Sequence, residues 1–163
     1  MRVMLIAAVL SLASGGAAGQ DARCTDRPEC WPTGSAMHEG LAAGQRLART
    51  QKHLDAQQEA LVALVEKSQI DGFTDERLIA AIKGDYVAWV AYRQAQCQLE
   101  GTLTQAGGSR QTTYAVLCEE SWVSNRIRLV SGILACIQQL PEKTRPFDQQ
   151  TCLEKLETVV PKS

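Results

Sequence analysis

The run WVAYRQAQC, Trp89 to Cys97, places two aromatic rings, a guanidinium and a thiol at positions 89, 92, 93 and 97. On a helix these positions lie on one side or next to it. Three uses fit such a set. A thiolate could act as a nucleophile beside a cation. The cysteine could anchor a metal. Or the side chains could form the inner face of a disulfide-stapled helix, with no reaction to perform.

The first two uses need a free thiol, and the rest of the chain argues against one. Arg2 precedes an apolar run, VMLIAAVLSLA, and then small residues, SGGAAG. This is the layout of a cleaved secretory signal, cut near Ala18 or Gly19. The run is too short to cross a bilayer, which takes about 20 residues. Cys24 follows Asp-Ala-Arg, which is not a lipid-attachment context, so no membrane anchor is expected. The six cysteines, Cys24, Cys30, Cys97, Cys118, Cys136 and Cys152, all lie beyond the signal. An even count in an exported chain reads as a disulfide framework. There is no C-x-x-C and no H-E-x-x-H, and His38 and His53 are the only imidazoles.

Other catalytic constellations are missing as well. Glu119 and Glu120 are adjacent, so on a helix they diverge by about 100° and cannot work as a carboxylate pair. Their expected role is to favour the N-terminal half of their helix. His38 and His53 sit on a polar-rich segment and are expected to be solvated. Ser35 and Ser109 lack a G-x-S-x-G context, and neither GGAAG nor GGS is a phosphate-binding fingerprint. The expectation is a protein that is not an enzyme, with no catalytic residue, metal, cofactor or small-molecule substrate. The net charge of −1 gives no basic footprint for nucleic acid.

The expected organisation is a signal peptide at 1–19, a Cys/Pro-rich leader at 20–34 and a single helical domain at 35–163. Leu47, Leu54 and Leu61 recur every seven residues and predict a helix from Ser35 to Gln69, broken at Asp71-Gly72. Thr74 is the predicted cap of a second helix running to about Glu100, with Leu78, Ile79, Ile82, Tyr86, Trp89, Val90 and Tyr92 as its apolar positions. Gly101 to Gln111 reads as a flexible loop. A third helix is predicted from about Thr112 to Leu140, stopped by Pro141. A short one follows over Asp148 to Val159, with Cys152, Leu153 and Leu156 inward. No alternating strand pattern persists. The fold class is all-α: an antiparallel bundle of three long helices plus a short C-terminal helix, stapled by disulfides.

Cys97 and Cys118 flank the Gly-Gly-Ser loop, so a bond between them would clamp the two helices below the turn. Such a bond contributes about 3 kcal/mol in the chain-entropy model. It also fixes the register, because facing residues of an antiparallel pair share one number sum. Arg93 is thereby predicted to meet Trp122, Trp89 to meet Arg126, Tyr86 to meet Leu129 and Ile82 to meet Ile133. Ile79 falls close to Cys136. Each tryptophan then meets an arginine of the other helix. Cys136–Cys152 ranks next, closing the turn around Pro141 and Pro146. Cys24–Cys30 is left by elimination; a bond from either to Cys136 is the alternative.

These residues resemble the LprI-type lysozyme-inhibitor domain. The resemblance rests on Trp89, Tyr92-Arg93, Cys97, Gly107-Gly108-Ser109, Cys118 and Arg126 with Leu129 or Val130, in that order. Its layout covers about residues 40–130 and its specific part 85–130. Tyr86 stands where members often carry glutamine, and Val123 where they often carry threonine. The resemblance implies a periplasmic or secreted helical protein that binds lysozyme or another muramidase. The loop 104–111 is the natural contact, with Gly107, Gly108, Ser109 and Arg110 as candidate binding residues. The alternative is an envelope interaction or structural module with a different partner.

Overall fold

The computed structural model describes residues 25–68 and 76–159, with side chains up to 156. The signal segment, Cys24 and the predicted Thr74 cap lie outside the described residues. All regular structure among the described residues is helical: a 3₁₀ turn at Pro28–Cys30, then α1 (Ala36–Lys67), α2 (Glu76–Leu103), α3 (Arg110–Gln139), α4 (Arg145–Leu153) and a 3₁₀ segment, Glu154–Val159. No described helix is long and apolar enough to cross a membrane.

The helix ends have identifiable causes. Ser35 caps α1 by accepting a hydrogen bond from the His38 amide at 3.2 Å. Leu140, the residue before Pro141, is extended and ends α3. Pro146 occupies the first turn of α4, where its missing N–H costs nothing. Two boundaries differ from the sequence reading. α2 continues through Gly101 to Leu103, and α3 starts at Arg110, so the connecting loop is shorter than 101–111. α4 starts three residues before Asp148, because the proline initiates the helix.

α3 is the central helix, packed along both α1 and α2, while α1 touches α2 much less. Consecutive helices are antiparallel, so α1 and α3 run parallel. Arg46 bonds Glu120 and Gln57 bonds Ser131, both pairs 74 residues apart. A constant difference is the signature of a parallel pair. Both helices carry a seven-residue stripe: Leu47, Leu54 and Leu61 on α1, and Val123, Val130 and Ile137 on α3. All six belong to the core, and only Leu47 is partly exposed. This is coiled-coil-like packing. α2 adds Ile79, Ile82 and Trp89, and α4 adds Cys152 and Leu153.

Two disulfides hold the ends. Cys97–Cys118 joins α2 to α3 beneath the loop, and Cys136–Cys152 joins α3 to α4. Cys30 is also oxidised; Cys24, its expected partner, lies outside the described residues. The leader folds back onto α1, where Nδ1 of His38 lies 2.9 Å from the Pro28 carbonyl oxygen. His38 is therefore half-buried rather than solvated, whereas His53 is exposed as expected.

Gly101 allows α2 and α3 to meet just above the staple. A Cβ there would lie 2.5 Å from the Gln111 carbonyl oxygen and 3.2 Å from the Ala115 Cβ. The nearer atom is backbone and cannot swing away. Gly101→Ala should therefore destabilise by about 1–3 kcal/mol, despite its gain in helix propensity. A Cβ on Gly84 meets nothing within 4 Å, so Gly84→Ala should stabilise by about 0.5–1 kcal/mol. Urea unfolding of the two variants beside the parent protein checks both signs.

Candidate functional site

Trp89 sits where the three long helices meet and is 6% exposed. The Arg93 guanidinium carbon lies 5.1 Å from its ring centroid and that of Arg126 lies 5.4 Å away. Tyr86 stacks on the same indole with centroids 6.0 Å apart. Both arginines are nearly buried, at 4% and 3% exposure. The predicted contact between Trp89 and Arg126 is present; the predicted contact between Arg93 and Trp122 is not. Arg93 lies one turn beyond Trp89 on the same helix face, so its guanidinium reaches the indole of its own helix. Trp122 packs edge-on against Tyr92 instead, at 5.6 Å. Tyr92, placed on the inner face by the sequence reading, is 58% exposed. It is one residue from Arg93 and therefore turned about 100° away.

Each buried cation has anionic or polar partners from other elements or another turn. Arg93 donates to Gln51 Oε1 of α1 at 2.7 Å and pairs with Glu119 of α3 at 3.1 Å. Arg126 pairs with Asp85 of α2. Gln51 passes the network on. Its Nε2 donates to Asp55 Oδ1 and to the Tyr86 hydroxyl, both at 2.7 Å. The Tyr86 hydroxyl donates in turn to Asp55. Burial, reinforced by that bond, pushes the Tyr86 phenol up to about 12.

The sequence reading missed Gln51, Asp55, Asp85 and Glu119. Their signal was polar identity at helix positions bordering the apolar stripe. Glu119 and Glu120 do diverge, but both lie in the third turn of α3, beyond the first turn where the helix dipole acts. Glu119 reaches Arg93 on α2, and Glu120 reaches Arg46 on α1 at 2.7 Å. The Glu120 bond raises the pKa of Arg46. Among the described residues no three His, Cys, Asp or Glu side chains group as metal ligands.

The second candidate surface is the loop above the staple. Gly108 and Gln105 adopt left-handed backbone conformations, with φ of 63° and 51°. The Thr104 hydroxyl donates to the Gly101 carbonyl at 2.6 Å, and the Ser109 carbonyl accepts from the Thr112 hydroxyl and the Thr113 amide. These bonds shape a tight connection. Gly107, Gly108 and Arg110 are exposed and Ser109 is half-buried. The Ser109 side chain makes no capping bond, and Arg110 is the first residue of α3 rather than a loop residue.

Compared with known proteins, the chain matches no family model, no curated protein and no solved structure.

Two predictions follow from the inner network. Glu119→Ala would strand the nearly buried Arg93 charge and should cost about 3 kcal/mol. Glu120→Ala removes an ion pair whose side chains are 46% and 22% exposed, and should cost less than about 1 kcal/mol. Denaturant unfolding of the two neighbours measures the contrast. The second prediction concerns alkali. The folded-state pKa of Tyr86 is raised above the ordinary value of 10.0. Its contribution is therefore complete below pH 10 and is lost as pH rises from there toward about 12. The stability advantage of the parent protein over Tyr86→Phe should shrink across that window in unfolding curves taken at each pH.

Proposed function

We propose that this chain is an exported helical protein that binds lysozyme or a related muramidase and inhibits it by placing the α2–α3 tip in the catalytic cleft. Lysozyme cuts glycans with two carboxyl groups in a cleft. A guanidinium among those groups would be held by charge-assisted hydrogen bonds and would exclude substrate. The proposed protein is a binder and performs no chemistry of its own.

The observation that carries this reading is the position of Arg110. It opens α3, at the positive end of the helix, and the first turn has no acidic residue to offset it. A cation there is disfavoured by about 0.3–1 kcal/mol. Helix stability therefore gives no reason for an arginine at this position, whereas recognition of carboxylates does. The scaffold supports the same reading. The tip is clamped by Cys97–Cys118 directly beneath it, and a pre-ordered loop loses little entropy on binding. The disulfides suit an oxidising compartment, periplasmic or extracellular, which agrees with the proposed signal peptide at 1–19. The order of Trp89, Arg93, Cys97, Cys118 and Arg126 resembles the LprI-type inhibitors, and here these residues form one inner network and its staple. A net charge of −1 contributes little steering toward a cationic lysozyme, so affinity must come from the contact itself.

The test is lysozyme-driven clearing of a cell-wall suspension, followed by turbidity, with the oxidised protein added. The parent protein should protect in a dose-dependent way. Arg110→Ala should weaken protection about tenfold or more while unfolding at an equal or slightly higher temperature. Ser109→Ala should weaken it less. No protection from folded, oxidised protein at micromolar excess would contradict the reading.

A further inference from the structure

Large apolar side chains exposed among the described residues are not spread evenly. Of Val87, Tyr92, Leu99, Leu103, Tyr114 and Leu117 along the α2–α3 hairpin, all but Val87 lie in its loop-proximal half. Leu103 is 70% exposed and Leu99 51%. Tyr92, Leu99 and Leu103 are seven and four residues apart, so they form one stripe on α2. That stripe lies about 100° round the helix from Arg93, the residue that reaches Gln51 of α1. Tyr92 touches Trp122, which places the stripe on the flank facing away from α1. On α3, Thr113 bonds the Ala36 carbonyl at the start of α1. Tyr114, the next residue, is turned away from α1 and is exposed.

The charges at the end of this stripe are also sparse. Exposed Glu100 borders it on α2, and from Gly101 to Cys118 the only charged residue is Arg110. A lone arginine beside leucines and tyrosines, with other charges depleted, is the composition of an interface core rather than of an ordinary solvated surface. Scattered apolar residues on a surface need no explanation, but a contiguous group does.

We infer that the Tyr92–Leu99–Leu103 flank of α2, continued by Tyr114, is a docking surface for the apolar wall beside a partner's acidic cleft. Arg110 enters the cleft and the stripe lies along its rim, so the hairpin binds side-on rather than by its loop alone. This inference rests on the inhibitor reading. Arg110, the one charge between Gly101 and Cys118, suits a carboxylate-bearing cleft, and the stripe runs directly into the tip.

The experiment measures binding of oxidised parent protein and three variants to immobilised lysozyme, with circular dichroism to verify each fold. The variants are Leu99→Asp/Leu103→Asp, Arg110→Ala and Val87→Asp. Val87 is also exposed but lies about 140° round α2 from Tyr92. The double variant is expected to bind at least about tenfold more weakly, with Val87→Asp unchanged. A double variant that binds like the parent while Arg110→Ala is impaired would overturn the side-on surface and leave the loop reading standing. No binding by the parent protein would overturn both. Size-exclusion chromatography adds a further outcome. A parent dimer that becomes a monomer in the double variant would assign the surface to a second copy and overturn the inference.

Discussion

Two guanidinium groups are buried against one indole, and each needs a carboxylate partner. A cation over an indole is stabilised by roughly 0.5–2 kcal/mol, while removing a charge from water costs several kcal/mol. The aromatic contact alone is therefore insufficient, and carboxylates are required. Glu119 supplies one for Arg93, and Asp85 supplies one for Arg126. Gln51 fills a further site on Arg93 from α1. The arrangement works only when the three helices sit at one relative height. It gains little net stability over an apolar core, but a slip of α2 against α3 leaves both charges unpaired, and a slip of α1 takes the Gln51 bond from Arg93. Buried polar groups are best supported in this role of fixing register.

The rest of the bundle divides the work accordingly. The α1–α3 pair carries the heptad stripes and most of the fully buried aliphatic side chains. Its N-terminal ends approach closely at Gly40, where an added Cβ would lie 2.6 Å from the Thr113 hydroxyl oxygen. α2 packs on this pair through Ile79 and Ile82 at one end and the polar–aromatic network in the middle. Cys97–Cys118 completes its attachment at the other end. The hairpin tip is thus fixed by a covalent bond below it and by the register lock about two turns further down. The bonds of Thr104 and Thr112 and the left-handed Gly108 then set the shape of the short connection itself, which leaves exposed Arg110 free for contact.

The parts of the fold legible in the sequence were those fixed by local chemistry or by a covalent link. The helix start at Ser35, the stop at Leu140-Pro141 and the pairings of Cys97 with Cys118 and Cys136 with Cys152 are of this kind. Because the first disulfide sets the α2–α3 register, the meeting of Trp89 with Arg126 could also be predicted. Arg93 was misplaced because two-helix reasoning had no α1 in it. Once Gln51 and the indole of its own helix compete, Trp122 loses the contact. The parallel α1–α3 register was hidden for a similar reason, since no bond or short turn joins those helices. Gly101 read as a loop residue because glycine usually marks one. Here it serves close approach inside a helix. Arg110 was singled out by sequence, but its place at the positive end of α3, which sets it apart, is visible only once the helix start is known.

The central claim is that the network around Trp89 locks α2 against a pair that α1 and α3 make on their own. Native-state hydrogen exchange on the oxidised parent protein and a Trp89→Leu variant tests this most directly. The account predicts that amides of α2 between the network and Ile82 exchange through a markedly easier opening in the variant. Amides around Leu54, Leu61, Val130 and Ile137 should keep their protection. Equal loss of protection in all three helices, or none in α2, would contradict it.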